Sequence, residues 1–151
     1  MAPKRILAPV DFSPGSEAAV DYALFLVRAL GGHVTLLHVH DRPSQMGQIV
    51  PGADHAADEQ AIQKAALARL GRLRALLGQE LDLINAAVET GDPTDAIVAL
   101  AQSGNFDLIV MGTHARAGID RVLMGSVAEG VVRRAPIPVL TIHLPHDYRS
   151  G

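Results

Sequence analysis

An open α/β fold, with a parallel five-stranded sheet and helices on both faces, is what this sequence predicts, on three observations. Five short apolar runs alternate with stretches whose apolar residues recur at helical spacing, and glycine or proline marks the junctions. Strict β–α alternation implies a parallel sheet, because each crossover must bring a helix back over one face. Finally, Phe106 to Ser126 (F-D-L-I-V-M-G-T-H-A-R-A-G-I-D-R-V-L-M-G-S) runs from a buried strand through a glycine-punctuated loop to a helix start. In a sheet ordered 3-2-1-4-5 the winding reverses between strands one and four. That brings Pro9, Val10 and Asp11 beside Gly112, at the switch point where ligands bind in such sheets.

Taken in order, Lys4 to Val10 is a first strand buried on both faces. Ser13 and Pro14 supply a helix cap and a first-turn proline. Val20, Ala23, Leu24, Val27 and Leu30 trace the helix, which Gly31 and Gly32 close. His33 to Val39 is the second strand, and residues 40–55 read as a long loop of the functional kind. Ile62, Ala66, Leu70, Leu73 and Leu77 mark an amphipathic helix from Ala56 to Leu77, with Gly78 after it. Asp82 to Glu89 is the third strand. Asp92 caps a helix that has Pro93 at its first position and ends at Gly104. Asp107 to Met111 forms the fourth strand. A last helix runs from Ser126 to about Arg134, and Pro138 to Ile142 is the fifth strand. No repeat or linker divides the chain, so residues 1–151 are expected to form one domain.

Composition narrows the function classes. Hydrophobic residues are 48% of the chain and aromatics 3%, so Ala, Val, Leu and Ile build the core. A net charge of −3 gives no reason to expect a nucleic-acid or membrane partner. There is no cysteine, which excludes disulfides, thiol catalysis and thiolate metal sites. The N-terminus reaches Pro9 and Asp11 too soon for a signal peptide, and no apolar run approaches the roughly 20 residues of a membrane span. A cytoplasmic protein is expected.

Ser126-Val127-Ala128-Glu129 has the Ser-x-x-Glu form of a capping box. The free N–H groups and dipole of that first turn suit a phosphate oxygen. Gly118 and Gly125 punctuate the preceding loop, and Arg116 and Arg121 are cations within it. There is no G-x-x-x-x-G-K-[ST], no G-x-G-x-x-G after the first strand and no G-x-S-x-G. A P-loop protein, a nicotinamide dehydrogenase and a serine hydrolase are therefore disfavoured. What remains is Gly112-x-x-Ala115, nine residues, then Gly125-Ser126.

That spacing resembles the nucleotide-binding branch of the universal stress protein family, which carries Gly-x-x-Gly, nine residues, then Gly-Ser or Gly-Thr. P-V-D-F-S-P-G-S after the first strand, the Gly91-Asp92-Pro93 helix start, V-M-G-T-H and the closing G-S-V-A-E-G-V-V-R-R-A-P-I-P-V-L extend the resemblance over nearly the whole chain. It implies an adenine nucleotide alpha hydrolase-like sheet of the order above, and a homodimer. Pro9, Val10 and Asp11 would then border the adenosine, and Val39 would meet the adenine ring. Met111 and Gly112 would lie near the ribose and α-phosphate, while Gly125, Ser126 and Val127 would hold the phosphates. His114, Ala115 and Arg116 belong to the same loop. The departure is Ala115, where the binding branch has its second glycine. If the backbone there is left-handed, alanine costs roughly 1–2 kcal/mol, about one order of magnitude in affinity.

Several features carry a plainer reading beside the functional one. Gly112 and Gly125 serve turns as well as ligands, Ser126 caps a helix in either case, and Asp11 can solvate a strand end. His38 and His40 share a strand face near Asp41, Asp54, His55 and Asp58, but without the spacing of a ligand set they read as core or surface histidines. A divalent cation, Mg2+ or Mn2+, is expected only on nucleotide phosphates. No nucleophile beside His114 makes it half of a catalytic pair. Val139 to Ile142 has no following helix to cover its edge, and an exposed edge invites pairing across a two-fold axis. Two functions follow: an ATP- or AMP-binding stress-response module with little or no turnover, or a nucleotide-free dimeric scaffold for a protein partner. A true hydrolase would have to draw on His114, Asp11 or Asp120.

Overall fold

The computed structural model describes residues 2–41, 55–76, 81–113 and 124–144. Five strands, β1 (Arg5–Pro9), β2 (His33–His40), β3 (Ile84–Thr90), β4 (Leu108–Gly112) and β5 (Val139–Ile142), form one sheet ordered β3-β2-β1-β4-β5. Every neighbouring pair is parallel, as the alternating pattern requires. The helices are α1 (Pro14–Leu30), α2 (His55–Leu76), α3 (Pro93–Ser103) and α4 (Ser126–Arg134).

The pleat divides the core into two layers. Ile6, Ala8, Leu36 and Val110 point to the face covered by α1 and α2, where Ala19, Val20, Ala23, Leu24, Val27 and Leu70 meet them. Leu7, Leu37, Ile109 and Met111 point the other way, onto Ile97 and Ala101 of α3 and Ala128 and Val131 of α4. Strands buried on both faces must be apolar there, as β1 after Arg5 and β4 are.

Local signals set the ends. Ser13 accepts from Ser16 N to cap α1, and Asp92 accepts from Asp95 N at 2.9 Å to cap α3. The Gly31 N–H closes α1 on Val27 O at 2.8 Å. At Gly32, with φ of +115°, a Cβ would lie 2.0 Å from Lys4 O, so only glycine lets the chain turn so close to β1. Asp107 accepts from Lys4 N and Arg5 N at 3.0 and 2.9 Å, joining the start of β1 to the start of β4.

Four expectations are corrected. Leu81–Leu83 form a single 3-10 turn, so β3 starts at Ile84 rather than Asp82. On α2, Ala66 and Leu70 are buried and Leu73 is half-buried, but Ile62 is exposed because that helix packs mainly on β2 and β3 and buries a narrow seam. Leu30, in the last turn of α1, is likewise exposed. The α4 cap differs as set out below. Leu77 and Gly78 lie outside the described residues.

Candidate functional site

A cavity of about 260 Å³ opens beyond the carboxyl ends of β1, β2 and β4. Its origin lies in the pairing: β1 matches β2 over five residues but β4 over only two, Ile6 with Leu108 and Leu7 with Ile109. Pro9 has no N–H to continue a ladder toward β4, so the two strands part there. Val10 N is instead held by Leu37 O at 2.8 Å, on the other side.

Pro9, Val10 and Asp11 border the cavity, with Val39 from β2 and Met111 and Gly112 from β4. Gly125, Ser126 and Val127 close it from α4. Nine of the residues singled out in the sequence thus converge on one crevice; His114, Ala115 and Arg116 lie outside the described residues. Ser13, Ser16, Leu37, Asp41, Thr113 and Ala128 also line it, as do Pro93 and Ile97 of α3. Thr113 follows Gly112 directly and its position was readable from the motif. The α3 wall was not, because only the packed sheet brings that helix over the switch point.

Gly112 has a packing task as well. A Cβ on it would come within 2.7 Å of Gly15 C and 2.8 Å of Gly15 O, so its bareness lets β4 approach the first turn of α1. Between β1 and α1, Phe12 takes a left-handed φ of 63°. Asp11 Oδ1 then accepts from both Ser13 N and Ser13 Oγ, and Asp11 N donates to Ser16 Oγ at 3.3 Å. His38 Nδ1 donates to Val10 O at 2.8 Å and its ring lies 4.9 Å from that of Phe12. Its role is to brace the cavity wall from behind, in keeping with a core histidine.

Three helices therefore present their N-termini here, and they are not equivalent. Ser13 caps α1 and Asp92 caps α3 through side-chain oxygens. The N-cap of α4 is Gly125, with no side-chain hydrogen bond, where the sequence had suggested Ser126. The capping box fails by one position: with Gly125 as cap, Glu129 is the fourth helical residue, and it pairs with Arg133 at 2.7 Å instead. Glu129 N makes the first helical bond, to Gly125 O at 2.9 Å. The preceding amides, of Ser126, Val127 and Ala128, have no acceptor within the helix. The Gly125 amide is committed elsewhere, donating to Thr113 O at 2.5 Å. The first turn of α4 thus offers amides without helical acceptors, a geometry that suits an anion, beside the apolar walls of Val10, Leu37, Val39, Ile97 and Met111.

Among the described residues no group of three His, Asp or Glu side chains is placed to hold a metal ion. No described helix is long and apolar enough to cross a membrane.

The fold and crevice define a doubly wound α/β domain with a cavity at its switch point, where ligands bind in such sheets. Residues 3–143 match the family described as the universal stress protein family, and the chain belongs to it. It is 30% identical over 142 residues to universal stress protein MJ0531 of Methanocaldococcus jannaschii, covering 94% of this chain and 83% of that one. The solved structure of MJ0577, described there as a hypothetical protein, superposes with a TM-score of 0.79 at 25% identity, over 96% of this chain and 99% of the other. A universal stress protein solved in complex with cAMP superposes with a TM-score of 0.62, also at 25% identity, over 96% of this chain and all of the other.

Proposed function

We propose that this chain is a small cytoplasmic module of the stress response that binds an adenine nucleotide, ATP or AMP, with little or no turnover. One observation carries the reading: of the three helix N-termini at the crevice, only α4 lacks a side-chain cap, and it borders an apolar slot. A purine suits the walls made by Val10, Val39 and Ile97, and phosphates suit the amides of Ser126 and Val127. The cAMP complex of a structural relative supports the adenine nucleotide class. Mg2+ or Mn2+, where present, would arrive on the phosphates. The chain would act as a homodimer through the β5 edge.

The test is calorimetric titration of the purified chain with ATP and AMP, together with mass spectrometry of gently purified protein. Saturable binding of either is expected, and binding of neither would refute the reading. Asp11 Oδ1 already accepts two hydrogen bonds from Ser13, and steady-state phosphate release at many turnovers per minute would contradict the assignment as a binding module.

A second reading, a nucleotide-free dimeric scaffold that docks a protein, is favoured by one residue: Ala115 stands where the nucleotide-binding branch has glycine. Ala115→Gly separates the two. It should tighten existing ATP binding by about tenfold under the first reading, and under the second the starting protein should show no binding to tighten.

A further inference from the structure

We propose that Thr113 couples the first turn of α4 to the edge strand β5, so that a nucleotide held at one orders the other. The inference rests on the nucleotide reading above. Thr113 is 9% exposed, lines the cavity and commits its polar atoms in two directions. Its carbonyl accepts from Gly125 N at 2.5 Å, which ties it to the α4 cap. Its N–H donates to Ile142 O at 3.1 Å, and its Oγ1 lies 3.3 Å from His143 Nδ1, which tie it to the end of β5.

The chain of contacts is short. An anion held by Ser126 N–H fixes the peptide that begins at the Gly125 carbonyl, and so the cap residue itself. Gly125 in turn fixes the Thr113 carbonyl. The residue before Thr113 cannot give way toward α1, because Gly112 already touches Gly15 there. What can yield is the β5 side. That strand is four residues long, half-buried and paired in this sheet only with β4, so few ladder bonds hold it. Linkage makes the effect reciprocal: anything that pairs with and orders β5 would strengthen the nucleotide site by the same factor.

The experiment is hydrogen exchange on the full chain with and without saturating ATP, alongside calorimetry. Wild type should show slowed exchange in peptides covering 125–129 and also in 139–143, the latter by about fivefold or more. In His143→Phe, which removes the side-chain contact to Thr113 Oγ1 from outside the cavity, ATP should still bind and still protect 125–129, while the response at 139–143 falls to less than half. Calorimetric binding with no change at 139–143 in wild type overturns the coupling alone, and a full response in His143→Phe overturns the share assigned to the Thr113 side chain. Absence of binding overturns the nucleotide reading and the coupling with it.

Discussion

The guanidinium carbon of Arg69 lies 3.9 Å from the centroid of the Phe12 ring, fastening α2 to the turn that leaves the cavity end of β1. Phe12 sits in the left-handed region, at a cost of roughly 1–2 kcal/mol for a residue with a Cβ. Arg69 on one side and the His38 ring on another offset that cost and hold Asp11 at the cavity rim. Arg69→Met keeps the aliphatic stem and removes the cation. Urea unfolding should show a loss of about 0.5–1 kcal/mol at unchanged slope, and an unchanged midpoint would show the stack to be idle.

Gly112→Ala should destabilise the fold by about 1–3 kcal/mol, as overpacking does. The added methyl group meets the Gly15 backbone, which has no side chain to move aside. A variant as stable as wild type would mean that β4 and α1 can separate freely.

Gly125→Asp should leave stability within a few tenths of a kcal/mol or raise it slightly, since aspartate is at least as good a cap as glycine. Its carboxylate would occupy the amides offered to phosphate and repel the ligand, so ATP affinity should fall about tenfold or more. Equal affinity in the two proteins would remove α4 from the phosphate site.

The backbone N–H groups of Lys4 and then Arg5 hold the Asp107 carboxyl below the ordinary carboxylate range, with the Arg5 charge adding to them. A lowered folded-state value contributes stability above the unfolded pKa of about 3.9, and that contribution is lost as pH falls through the folded value. Asp107→Asn should therefore be less stable than wild type at neutral pH, with the gap narrowing in acid. Denaturant midpoints measured from pH 7 downward will show whether the two curves converge.

Much of this architecture was legible because its signals are local. Ser13-Pro14 and Asp92-Pro93 start helices by capping chemistry that acts within a single turn, and both helices begin there. The switch-point crevice followed from the sheet order that the family resemblance implies, since strict alternation fixes only that the strands are parallel. Other features depend on contacts made far along the chain. Asp107 reaches Lys4 across 103 positions. The left-handed Phe12 has no signature, since a bulky residue is a poor candidate for that region. Gly125 displaced Ser126 as the cap because its amide is drawn to Thr113, a bond that only the folded sheet supplies.

Gly125 caps α4 without a side chain, so under the nucleotide reading a bound anion would complete the helix end. Mass action then makes survival a gauge of supply: free nucleotide at a hundred times its dissociation constant would add about 2.7 kcal/mol to the native state. As adenylate pools run down, the chain would unfold more often and meet proteases sooner. Its abundance would then record the energy state of the cell without any catalytic step.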